Sequence, residues 1–146
     1  MNQAEAKEAY DNQGYYADKL GEGLEFQDVV TMALYQRGIV VVGFSSRRFQ
    51  NEKGENMLGA EIKRDGNFRE TGNLYIEIAE KANPSNPRYV NSGIMREDNS
   101  WLYVIGDEQT IWIFPICYLR KLMNVKDYRE VTTPTSIGRL MPLEEA

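Results

Sequence analysis

LGAEIKR (58–64) and NLYIEIA (73–79) bracket the turn-forming segment DGNFRETG (65–72), and the reading of this stretch decides the fold. Side chains alternate along a strand, so Glu61 and Lys63 share one face with Gly59, while Ala60 and Ile62 point to the other, toward a core. Glycine, asparagine and aspartate between the two runs predict a hairpin loop. Antiparallel pairing across that loop sets Glu61 opposite Glu77 and Lys63 opposite Tyr75. Two carboxylates facing each other across a ladder repel unless a cation lies between them. Lys63 meets part of that need, and a divalent metal ion meets it better. Glu55, in the preceding KGEN loop, offers a further oxygen ligand.

Working outward, Leu24, Phe26, Val29, Val30, Ala33 and Leu34 recur at helical spacing over 24–37, and Gly38 supplies a stop. GIVVVGF (38–44) is apolar and β-branched and predicts a buried strand. Residues 45–57 form a polar loop, and 82–100, rich in proline and asparagine, a long one. WLYVI (101–105) and TIWIF (110–114) flank GDEQ as a hairpin, and ICYLRKLM (116–123) is a short amphipathic helix. Residues 1–20 form a peripheral polar segment, a frayed helix broken by Gly21 to Gly23, and 124–146 a tail. Trp101, Tyr103, Trp112 and Phe114 alternate on strands as core or dimer surface. This order predicts one mixed α/β (α+β) domain over 1–146, with a mixed central sheet flanked by helices.

Composition narrows the chemistry. The 146 residues contain no histidine and one cysteine. Histidine triads, histidine general bases and histidine or thiolate metal sites are therefore excluded, and a metal must sit on oxygen: Mg²⁺, Mn²⁺ or Ca²⁺. Cys117 in apolar FPICYL predicts a buried core thiol in a reducing, cytoplasmic setting. The polar, acidic N-terminal stretch does not read as a signal peptide, and no run has the length of a membrane span. The net charge of −5 argues against an all-over basic surface. A local basic patch is enough to meet phosphate, however.

A carboxylate and an ammonium on one strand face fit metal-assisted phosphodiester hydrolysis. The carboxylate holds Mg²⁺, and the lysine orients or deprotonates the attacking water. On an exposed strand, ExK is also a common surface ion pair. Glu77, Glu55 and the apolar strand beside it are what raise the catalytic reading. Lys63→Ala is then expected to abolish cleavage with fold and DNA affinity nearly intact. Arg47, Arg48, Arg64, Arg69, Lys81, Arg88 and Arg96, interleaved with Phe49, Phe68 and Tyr89, are candidate contacts to the nucleic-acid backbone.

EIK (61–63), within GENMLGAEIKRD…TGNLYIEIAEK (54–81) and followed by WLYVIG, TIWIF and LRKL, resembles the PD-(D/E)XK (restriction-endonuclease-like) nuclease superfamily, in particular a small phage and bacterial subset. The resemblance covers about half the chain, residues 54–123. It implies a Mg²⁺-dependent endonuclease, with Mn²⁺ as substitute, acting on DNA, and a homodimer if both strands are cut. No Pro-Asp precedes EIK, and no aspartate lies between Asp28 and Asp65. Two arrangements repair this. Either Glu55 takes the first acid's place, or Glu61 and Glu77 are the two acids and the lysine has moved to position 63. The second, with Glu61, Glu77 and Glu55 as metal ligands, is slightly preferred. Small members carry a further glutamate on the first helix, which implies Glu25; a first-turn glutamate favoured by the helix dipole reads equally well there. A non-catalytic interaction protein, or a module that binds structured DNA, is the alternative.

Overall fold

The computed structural model describes residues 3–146, with side chains for 17, 18 and 20–146. The described residues form four α-helices and two sheets in a mixed α/β arrangement. Helix α1 spans Gln3–Tyr35, α2 Arg47–Lys53, α3 Phe68–Thr71 and α4 Ile116–Val125. The strands are β1 Ala60–Arg64, β2 Asn73–Glu80, β3 Val90–Asn91, β4 Leu102–Gly106, β5 Ile111–Pro115, β6 Glu130–Thr132 and β7 Ser136–Pro142. They divide into a three-stranded sheet ordered β1-β4-β5 and a four-stranded sheet ordered β3-β2-β7-β6, in place of the single central sheet expected.

Strand β4 shows why two cores form. Its Tyr103 and Ile105 face a cluster that includes Leu74, Ile76, Phe114, Leu119 and Met141. Val104 between them points the other way and packs with Ala60, Ile62 and the α1 stripe Phe26, Val30 and Leu34. The period of two in the strand and the i, i+4, i+8 spacing in the helix account for that division.

The expected β1–β2 hairpin does not form. β1 pairs in parallel with β4, placing Glu61 beside Tyr103 and Lys63 beside Ile105. β2 instead pairs antiparallel with β7, from the segment read as a tail. The 65–72 connection folds as a helical turn, α3, that seats Phe68 in the core and carries the chain to the second sheet. Asp65 ties the two ends together. Its Oδ1 accepts from the Asn67 amide at 2.9 Å and its Oδ2 from the Tyr75 amide at 2.9 Å.

Other expectations also change. The helix runs through Gly21 and Gly23 without a break, because a glycine costs only about 1 kcal/mol in a helix interior and the buried stripe downstream anchors it. GIVVVGF is no strand: it makes one bridge, Gly43 to Asn56, and leaves Ile39, Val40 and Val42 exposed. The 45–57 loop contains α2, capped by Ser46. Residues 82–100 carry β3 and a 3₁₀ turn, Gly93–Met95, that buries Ile94 completely. Cys117 is exposed, because α4 buries Ile116, Leu119 and Met123 and position 117 lies off that stripe. Of the alternating aromatics, Tyr103 and Phe114 are core, Trp112 packs edge-on against Phe68, and Trp101 is exposed. The β4–β5 hairpin and α4 stand where the sequence places them. No helix among the described residues is long and apolar enough to cross a membrane.

Candidate active site

Glu61 and Lys63 share a strand face, as alternation requires, but that face looks into the interior between the sheets. Glu61 is 1% exposed. Burial of a carboxylate in such a place demands a cation, and Lys63 supplies it: its Nζ lies 3.1 Å from Glu61 Oε1 and 2.9 Å from Glu77 Oε1. Glu77 therefore reaches the site as the sequence suggested, although from another sheet. A bulge helps to place it. The β2–β7 register slips between Glu77 and Ala79, and such extra residues re-aim a side chain. Two neighbours the sequence did not reveal hold Glu77 further. The Ser92 hydroxyl donates to its Oε1, and its amide donates to the Tyr103 hydroxyl at 3.3 Å. Serine and tyrosine give no motif, and only the fold shows them beside an acid.

The other side of Glu61 is arranged differently. Its Oε2 is buried and accepts no hydrogen bond. On this side stands Arg96, whose Nη1 is 3.6 Å from that oxygen and also 3.7 Å from Glu55 Oε1. Glu55 and Glu61 thus flank one guanidinium, whereas Glu61 and Glu77 flank one ammonium.

Electrostatics follow from burial. Burial pushes the Glu61 carboxyl up to about 7, against the pull of Lys63, and nearby Glu55 adds to the rise. Glu55 is raised too, first by burial, with Lys63 and Arg96 opposing. Burial alone lowers the Lys63 ammonium, but Glu61 and Glu77 outweigh it and hold it well above the usual lysine range. Tyr103, wholly buried and beside Glu77, keeps its phenol proton far above the usual range.

A stability prediction arises from Glu61. Its carboxyl titrates near 7 when folded and near 4.5 when unfolded, so the folded state holds the extra proton between those values. Its contribution is complete below about 4.5 and is lost as pH rises through 7. Metal-free protein is expected to lose stability from pH 5 to pH 8 in urea melts, and Glu61→Gln to flatten that slope. An unchanged slope in Glu61→Gln places the titration elsewhere.

Among the described residues no three acidic or cysteine side chains gather at metal-holding distance. Mg²⁺ does not require such a cage, since it keeps several waters and takes one or two protein carboxylates plus phosphate oxygens. The buried, unbonded Glu61 Oε2 with Glu55 beside the same cation fits that smaller demand. Glu77 gives its Oε1 to both Lys63 and Ser92.

The remaining candidates lie elsewhere. Glu25 is exposed in mid-helix, on α1, which packs over the sheet face opposite Glu61 and Lys63. Arg64 pairs with Glu108 at 2.8 Å and Glu22 at 3.3 Å, and Arg69 with Asp107 at 2.9 Å. Both are thus tied to acids of the β4–β5 region. Arg48 pairs with Glu52 at 3.0 Å on α2, beside exposed Arg47. Lys81 lies over the Tyr89 ring, and Arg88 is exposed. Arg96 alone of these enters the acidic cluster. Comparison with protein-family models, curated proteins and solved structures gives no match for this chain.

Proposed function

We propose that this protein is a Mg²⁺-dependent DNA endonuclease that hydrolyses phosphodiester bonds, a small cytoplasmic member of the PD-(D/E)XK superfamily, with Mn²⁺ able to substitute. The observation that carries this reading is the Lys63 ammonium fixed between Glu61 and Glu77, next to a buried carboxylate oxygen that no donor satisfies. Glu61 and Glu55 would hold the metal, and Glu77 serves mainly to position Lys63. When bound, the metal supplies Lewis-acid polarisation of the phosphate and lowers the pKa of water. Lys63, partly open to solvent, orients the attacking water and offsets charge building on phosphate. Glu61 must be ionised to bind metal, so loading improves as pH rises through about 7.

Two of the expected DNA contacts, Arg64 and Arg69, are already paired with acids. Arg47 and Arg88 are exposed and stand as the better candidates. A homodimer accounts for cutting both strands. The test is cleavage of supercoiled plasmid and of a four-way junction with Mg²⁺, Mn²⁺ or EDTA, comparing wild type with Glu61→Gln. Metal-dependent cutting lost in Glu61→Gln is the expected result; no cutting of either substrate with either metal sinks the proposal.

A second reading, a non-catalytic interaction or structured-DNA-binding protein, draws on a different observation. Val40, Met32 and Tyr35 are exposed around a hollow of about 420 Å³ next to Val41, and Ile39 and Val42 are exposed beside it. Apolar surface of this kind marks protein contact sites. Absence of any Glu61-dependent divalent affinity favours this second reading.

A further inference from the structure

The cluster holds two cations, and the proposed hydrolysis gives work to only one. Lys63 touches its acids at hydrogen-bonding distance, but Arg96 does not. Its Nη1 stands 3.6 Å from Glu61 Oε2 and 3.7 Å from Glu55 Oε1. Its close contacts are to other groups: Nε lies 2.8 Å from Asp98 Oδ2, and Nη2 donates to the Gln50 carbonyl at 3.1 Å. The backbone is fastened as well, since the Arg96 carbonyl accepts from Arg120 at 2.9 Å. The side chain is 18% exposed, so it is hemmed in without being sealed. Asp98 itself is 3% exposed and accepts from the Ser100 amide at 2.8 Å, which makes it a fixed mooring.

Such a guanidinium neutralises the acid pair from a distance while leaving one carboxylate oxygen without a donor. Carboxylate oxygens approach Mg²⁺ at about 2.0–2.1 Å, much closer than Arg96 stands, so an ion there shares its ligands with a positive charge a few ångströms off. Like charges at that range in a partly dry site repel strongly.

Resting on the metal-dependent reading above, we propose that Arg96 is a built-in counter-ion that competes with a divalent cation for Glu55 and Glu61, moored on Asp98 and Gln50. It holds the acids in place before metal arrives and weakens the ion's hold once it is bound. Arg96 is thus a positioning residue that sets metal affinity.

The test is calorimetric titration of Mn²⁺ and Mg²⁺ into DNA-free protein, as wild type, Arg96→Met and Arg96→Lys. Arg96→Met removes the charge and keeps most of the stem, and it is expected to tighten Mn²⁺ binding by about tenfold or more. Arg96→Lys keeps the charge and is expected to stay near wild type. Equal or weaker Mn²⁺ binding by Arg96→Met overturns the counter-ion role while leaving the metal-dependent reading intact. No binding by any of the proteins overturns both.

Should Arg96→Met not fold, wild type still decides the matter by NMR. The arginine Nε–H signal missing from Arg96→Lys is expected to shift as Mg²⁺ is added, and a signal unmoved at saturation overturns the proposal.

Discussion

Lys63→Met is expected to stop the proposed metal-dependent cleavage, with the rate falling by about 10²–10³, the usual range for losing a donor that stabilises developing charge. The thioether keeps the length of the stem and removes the ammonium that lies 3.1 Å from Glu61 and 2.9 Å from Glu77. The water then loses its orienting group, and the two carboxylates lose the charge between them. For the same reason the fold is not spared, contrary to what the sequence alone suggests. Breaking a buried ion pair from one side costs about 3–5 kcal/mol, because the remaining charge is left uncompensated. Here the cost depends on pH. Below about 7 the Glu61 carboxyl takes up a proton, so the destabilisation is smaller at pH 6 than at pH 8. Urea melts at both values, with cleavage measured at a temperature where the variant is folded, separate the two effects. Wild-type cutting by folded Lys63→Met rules out the proposed mechanism.

Gly93→Ala is expected to damage both stability and the site. Gly93 sits at φ +52°, and a methyl group there would lie 2.2 Å from the Glu77 carbonyl oxygen and 2.9 Å from Glu77 Cβ. The left-handed conformation costs alanine about 1–2 kcal/mol. The clash adds more, since a backbone carbonyl inside a sheet cannot rotate away. A total near 3 kcal/mol is expected, with a fall of about 10 °C in Tm. Relief of the clash displaces Glu77 from Lys63 and Ser92 from Glu77. Gly72→Ala provides the control. It has φ +69°, but nothing lies within 4 Å of the added carbon, so only the conformational cost of about 1–2 kcal/mol applies. Equal melting temperatures for the two variants remove the clash from the account.

Local pattern made the site's first half legible. Alternation along AEIKR puts Glu61 and Lys63 together whichever strand lies next to them, and that holds in the structure. Partner choice was not legible. Glu77 meets Lys63, but the hairpin that led to this expectation is replaced by parallel pairing of β1 with β4, a long-range choice that turn chemistry does not encode. β7 escaped notice because IGRLMP mixes a glycine, an arginine and a proline. Its Gly138 is needed under the Tyr75 ring, where a methyl group would come within 2.4 Å of the ring. GIVVVGF misled in the opposite sense: strand composition does not make a strand where a ladder is lacking. Arg96 looked like one more loop arginine, and only its place beside Glu55 and Glu61 distinguishes it.

The pairing of β2 with β7 also bears on how the protein comes into being. Glu77 sits opposite Gly138, so the strand that presents it is completed by residues made some sixty positions later. A nascent chain that has reached α4 already contains every acid and the lysine of the cluster, yet lacks the ladder that holds Glu77 to them. Contacts this distant in sequence form slowly and only when both segments are present. The cluster is therefore completed late in synthesis, and chains clipped before β7 lack the strand that holds Glu77 in it. For the nuclease proposed above, that delay would keep incomplete chains from cutting DNA.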